Sequence, residues 1–427
     1  TLLLMLRHAP MYRLHLLLTL VLIGVTPLLA YRLCSSIRLD DAWTIGFPLF
    51  QSAEYTSWSM SAPFMAIAAL LLLYPFSMFI PASVTRRSML AWMVNTVVIA
   101  LVAVTVWKAN FSDENYHAEL RAYRAADEGR WSDILDEIVN LSDNPTRELI
   151  LLKNIALMNE NKLGSHMFRF NNTGKAPVSR DSLQVHMVRI CAPLIYMHYG
   201  KLNFATRWCI ENGVETGFNV DHYKILTLCA IMNGETDLAR KYTGILKKTT
   251  FWRKWAKQFD VIIEHPERIE SCQPLVKILE LNRHSGNHLD GDNGMPELYL
   301  LNYFSQTMNK DSKLMQEQTL IYSMVAKDIE GFWPRFFLFA TLHTDEPMPI
   351  HYQEAAYLYG HLQNDVDISV MPFDQEKIVE RYASFEQLTQ QYTRQQMSTE
   401  RIGELTKPAF GDTFWWFYFF CNDQHTY

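Results

Sequence analysis

Hydrophobic positions along this chain follow two different patterns. Up to Trp107 they come as long unbroken runs, Leu14 to Ala30, Pro63 to Ile80 and Met89 to Trp107, separated by polar breaks. The second and third runs carry no charge, and the first holds one titratable side chain, His15, and a late Pro27. A hydrocarbon core about 30 Å thick needs roughly 20 apolar residues at helical rise, so each run predicts a membrane-spanning helix. Thr1 to Leu6 add an apolar stub that reads as the tail of a further span. From Ser112 onward apolar residues recur at helical spacing, interrupted by Gly, Asn or Pro, with no sustained period-two alternation. The fold class expected is therefore all-α. Its parts are a transmembrane region over residues 1–107, helical hairpins over 108–264, and further helices with an aromatic C-terminal segment over 265–427.

Charge orients the spans. Positive residues in short loops tend to stay on the cytoplasmic side. Arg7 and Arg13 precede the first full span, and Arg86 and Arg87 join the second to the third. The longer loop from Tyr31 to Ala62 sets Asp40, Asp41 and Glu54 against Arg32 and Arg38. That loop is expected to face outward, with Trp43, Trp58 and Trp107 near the headgroup layer, and the domain from Lys108 onward is expected outside the cytoplasm. The whole chain has a net charge of −6, which excludes the global basic footprint that phosphate backbones require, so nucleic acid is not an expected partner.

Within the helical part, Leu194 to Asn212 is echoed by Leu228 to Leu246. Gly200 and Gly234, Ala205 and Ala239, and Trp208 and Tyr242 each stand 34 residues apart. The glycine suits a left-handed helix end, and the alanine lets the next helix pack closely. An earlier hairpin, Tyr116 to Glu128 and Trp131 to Leu141, turns at Gly129 and has Ile134 where the small residue would stand. Another runs from Glu148 through Asn161 to Phe170, and further helices are expected at Glu297 to Lys310, Leu314 to Lys327, Gln353 to Gln363 and Glu376 to Gln396. The hairpins before about Glu264 resemble the tetratricopeptide repeat, over two to four units and in a divergent form lacking the proline at repeat ends, and the resemblance implies a solenoid-like stack of hairpins; beyond Glu264 only helices are expected. Several spans followed by such a half resemble uncharacterised bacterial multi-pass inner-membrane families. That resemblance implies a bacterial inner-membrane location and no particular reaction.

Chemistry-bearing residue types are present without a template. His284, His288, Asp290 and Asp292 lie in a Gly- and Asn-rich stretch that lacks calcium-loop spacing, and they read as a polar turn. Asp40 and Asp41 resemble the acidic pair on an outer loop of lipid-linked sugar transferases, where carboxylates can hold a metal or take a proton, although an acidic pair can equally cap a helix. Phe251, Trp252, Trp255 and Phe259 are spaced as a core-facing helix stripe, with Arg253, Lys254 and Lys257 turned to solvent or lipid headgroups. The run Phe414 to Phe420 is too short to span and is expected to dock on the helical array, the membrane interface being the alternative. Six cysteines show no C-x-x-C spacing, leaving buried thiols and disulfides both open. No G-x-S-x-G, H-E-x-x-H, Walker or Rossmann pattern occurs, so no catalytic, metal or cofactor-binding residue is nominated. Ionisable residues inside the spans, which a transporter would need, come down to His15, with Asn95 the nearest neutral polar group. The reading is a lipid-embedded scaffold that binds another protein or peptide; the alternative is a multi-pass transferase-like envelope enzyme with an accessory repeat domain.

Overall fold

The computed structural model describes residues 10–33, 41–44, 65, 67–69, 89–108, 113–141, 144–174, 182–291, 294–363 and 366–421. Every regular element among them is a helix and none is a strand. They fall into two compact units, one of residues 1–113, 213–220 and 244–257, the other of residues 114–212, 221–243 and 258–427.

The first unit contains the helices Pro10–Leu33 and Met89–Lys108, of 24 and 20 residues. They include the predicted runs 14–30 and 89–107. The stub 1–6 and most of the run 63–80 lie outside the described residues. Both helices turn large apolar side chains outward: Leu17 is 62% exposed, Ile23 58%, Ile99 69% and Trp107 77%. Polar groups are satisfied inside the helix, with Thr96 and Thr105 donating to the Trp92 and Leu101 carbonyls at 2.8 Å. Among the described residues no helix is long and apolar enough to cross a membrane. Several side chains inside Met89–Lys108 lie outside the described residues.

The second unit is a set of helical hairpins with one recurring closure. Six of its described helices close in the same way on a residue with positive φ: Gly129 at 70°, Asn161 at 58°, Gly200 at 73°, Gly234 at 76°, Lys327 at 55° and Gln396 at 54°. In each, the next residue donates its N–H to a carbonyl five positions back, as Arg130 does to Ala125 at 2.8 Å, Lys201 to Tyr196 at 2.9 Å and Asp328 to Ser323 at 3.0 Å. This pairing satisfies carbonyls the helix leaves open, and the next helix starts within a few residues. Glycine adopts the geometry freely; Lys327 and Gln396 carry a left-handed penalty of roughly 1–2 kcal/mol.

Two centres hold the unit together. Helix Arg147–Asn159 is buried on all sides, from Arg147 through Met158, and packs on Glu114–Asp127, Trp131–Val139, Ser182–His198 and Pro296–Gln306. The second centre is aromatic. Phe414–Phe420 forms a helix whose Phe414, Trp415, Trp416 and Phe417 are buried among Phe168, Phe332, Tyr359, Tyr382 and Phe385. The aromatic run therefore docks, as its pattern predicts. Its start is fixed by polar groups: the Thr413 hydroxyl accepts from Trp416 N–H at 3.3 Å, and Glu354, itself 2.8 Å from His351, accepts from Phe414 N–H at 2.8 Å.

Helix C-termini in this unit are capped from neighbouring elements by cations. Lys277 donates to the Met158 and Asn159 carbonyls at 2.8 Å, Lys201 to Ser285 at 2.9 Å, Arg335 to Thr307 at 2.8 Å and Lys327 to Tyr418 at 2.6 Å. A positive group there meets both the open carbonyls and the negative end of the helix dipole. The stretch 286–290 is tied in by amides, with Asn203 donating from its backbone and side chain to Asn287 at 2.8 and 2.7 Å. His288 and Asp290 lie in this polar turn, whereas His284, expected there too, belongs to the last turn of the helix Gln273–Ser285; Asp292 lies outside the described residues.

One expectation is corrected. Phe251 does not join a core stripe: the helix begins at Arg253, so Phe251 sits in the preceding turn, outside the helical register, and is 88% exposed. Trp252 also precedes the helix, and it, Trp255 and Phe259 are half-buried.

Candidate functional site

The repeat positions named from sequence are spread over three hairpins. Gly129 and Gly234 have open space where a Cβ would stand, whereas at Gly200 a Cβ would lie 2.5 Å from the Asn282 backbone nitrogen and 2.8 Å from the Leu281 carbonyl carbon. Gly200 is thus held by conformation and by a close approach; the other two are held by conformation alone. Ala205 and Ala239 are fully buried, Trp208 is buried with its ring centroid 6.4 Å from that of Tyr196, and Tyr242 is half-buried against Ala230, Ala239 and Ile263. All of them pack; they do not converge on a cleft. Asp40 lies outside the described residues, and Asp41 opens the short helix Asp41–Thr44.

A cleft does form beside the aromatic helix. It encloses about 350 Å³, with Phe168, Phe170, Trp416 and Phe417 as apolar wall and Arg169, Asn171, Asn172, Arg381, Lys407 and Asp412 as polar lining. Arg381 is positioned by two acceptors, the Ala409 carbonyl at 2.9 Å and Asp412 at 2.5 Å. Arg169 lies 3.4 Å from His166; burial, and then the Arg169 charge, hold that imidazole below its usual pKa. Lys407 stands 5.7 Å from the Trp416 ring centroid. Three cations face one carboxylate. Such a lining favours an anionic group, and its aromatic wall adds a planar apolar surface. Cys421 reaches the same cleft, but burial pushes its thiol up, so it is held as thiol, a poor nucleophile.

The floor of the cleft leads to a buried polar centre. Asn172 donates to the Met167 and Phe170 carbonyls at 3.0 Å and accepts from Lys153. Burial pulls the Lys153 ammonium down to about 7 and pushes the nearby Glu148 carboxyl up to about 7. Arg147 pairs with Glu297 at 2.6 Å, and Tyr322 donates to Tyr199 at 3.0 Å. Arg147, Glu148 and Lys153 come from a helix whose every side is covered, where unpaired charge is costly. Chain order hides the cleft, because Arg169, Arg381 and Lys407 come from distant segments and share no motif. The five described cysteines are free thiols. Among the described residues no three His, Cys, Asp or Glu side chains are grouped so as to hold a metal ion.

Fold and cleft define an all-helical hairpin protein with a cationic, aromatic-walled pocket. The chain belongs to a family of unknown function, DUF6057, whose model matches residues 1–421. No curated protein and no solved structure matches it.

Proposed function

We propose that this chain is a membrane-anchored binding protein: N-terminal helices hold it in a bilayer, and a stack of helical hairpins engages a protein or peptide partner. The observation that carries the anchor is the inverted exposure of the first helices. Leu14, Leu18, Leu22, Leu29, Met93, Val97, Ile99 and Leu101 are all at least half exposed. At 1.5 Å per residue, a 20-residue helix such as Met89–Lys108 reaches about 30 Å, the thickness of the hydrocarbon core. An apolar surface of this extent is unfavourable in water and marks a membrane or partner contact.

The six identical hairpin closures support a tetratricopeptide-like stack, in which side chains off the core can vary to suit a ligand. The cationic cleft suits an acidic side chain or a terminal carboxylate of the partner. The charge distribution around the spans supports a bacterial inner-membrane protein with its C-terminal domain outside the cytoplasm. Alkaline extraction of membranes from cells making the full chain tests the anchor. Retention in the pellet is expected, and release into the supernatant would overturn the reading. Digestion of intact spheroplasts tests the sidedness: the C-terminal domain should be cut, and its protection would reverse the orientation.

A further inference from the structure

The segment 247–257 combines two features that are unfavourable in isolation. Lys247, Lys248, Arg253, Lys254 and Lys257 crowd into it without an acidic residue, in a chain that is net negative overall. Arg253 and Lys254 even occupy the first turn of a helix that has no acidic residue there, so they face the positive end of its dipole. In the midst of this charge Phe251 is 88% exposed. The turn that presents it is built, not frayed. The buried Thr249 hydroxyl donates to the Leu246 carbonyl at 2.7 Å and accepts from Trp252 N–H at 3.3 Å, while Arg253 Nε donates to the Lys247 carbonyl at 2.9 Å. Lys248, Arg253, Lys254 and Lys257 all reach solvent. The segment falls in the same compact unit as the exposed apolar helices.

We propose that this turn is a membrane-surface contact, in which Phe251 enters the interfacial layer and the surrounding lysines and arginine engage anionic lipid headgroups. Aromatic rings favour the headgroup level, and cations near an anionic surface gain from its negative potential. A surface of anionic lipid explains both features at once: it neutralises the crowded charge and covers the ring. An acidic protein would meet the charge but offers no particular place for an exposed aromatic ring in its midst. The proposal rests on the anchored reading above, because tethering keeps the turn near the bilayer.

The test uses the full chain with a photocrosslinking amino acid in place of Phe251, reconstituted into nanodiscs of phosphatidylcholine alone or mixed with phosphatidylglycerol. Adducts to phosphatidylglycerol are expected in the mixed discs, with far fewer lipid adducts in the neutral ones. Each cation replaced by Gln should lower their yield by up to about fivefold at low ionic strength, and high salt should do the same. Equal yields in both discs, adducts to protein alone, or no adduct would each overturn the proposal. A chain that fails to enter discs at all would instead sink the anchored reading, and this proposal with it.

Discussion

Leu22 and Trp415 are both large apolar residues in helices, yet Leu22 is 54% exposed and Trp415 is fully buried. The contrast runs through their two units. Pro10–Leu33 and Met89–Lys108 show apolar side chains outward and carry almost no charge. In the hairpin unit aromatic rings such as Phe332, Phe385 and Trp415 are interior, and even Lys153, Lys201 and Glu354 are buried. Burial of apolar area is worth roughly 25 cal/mol per Å², so a chain cannot use it in one unit and forgo it in the other unless the surroundings differ. In the anchored reading the solvent is what differs: lipid around the first helices, water around the second unit.

The largest effect expected from breaking this contrast is on insertion. Leu22→Arg together with Ile99→Arg places a charge near the middle of each N-terminal helix, at a cost of roughly 2.5–3.5 kcal/mol each in a bilayer. The double variant should move from the alkali-resistant pellet to the soluble or degraded fraction; unchanged extraction would show that these helices lie elsewhere than in lipid. Next in size is the aromatic centre. Trp415→Ala should cost about 3–5 kcal/mol in denaturant unfolding followed by circular dichroism. Phe251→Ala, which removes an aromatic from the surface, should change stability by less than about 0.5 kcal/mol. Equal losses would place Phe251 in a core after all.

A smaller effect separates the hairpin glycines. Gly234→Ala should cost about 1 kcal/mol, the penalty for a left-handed Ala. Gly200→Ala should cost at least twice that, because its methyl group would also meet the backbone at Leu281 and Asn282. Melting the two variants side by side checks the ranking, and Gly234→Ala proving the worse would contradict the close approach.

These glycines also mark how far the sequence is legible. Gly129, Gly200 and Gly234 announce hairpin ends because glycine adopts positive φ at no cost, and the helices expected around them are found. Lys327 and Gln396 were expected as helix ends, but as ordinary residues they do not announce the left-handed closure that tertiary packing imposes on them, and the helices Ile329–Leu342 and Thr399–Phe410 that follow were not expected. Phe251 misleads because periodicity cannot say where a helix begins. The cleft is illegible for a different reason: Arg169, Arg381 and Lys407 become neighbours through packing of the aromatic helix, a long-range event with no local pattern.

The buried polar centre offers the finest test, because it titrates. Burial holds the Lys153 ammonium down to about 7 against an ordinary 10.5, so its folded value is depressed. Between those values the unfolded chain binds a proton that the folded chain does not, and stability rises with pH. The penalty for burying Lys153 is therefore full below about 7 and fades toward 10.5. Glu148 runs the other way: burial raises it from 4.5 to about 7, so its penalty is absent below 4.5 and full above 7. Lys153→Met should stabilise the chain by on the order of 2 kcal/mol under mildly acidic conditions, with the gain shrinking as pH rises into the alkaline range. Glu148→Gln should show the opposite trend, with its gain growing from acid to neutral pH. Denaturant titrations of both variants across that range would reveal curves that cross near neutrality. Parallel curves would mean that the two groups keep their ordinary ionisation, reached by water that the packing of Arg147–Asn159 ought to exclude.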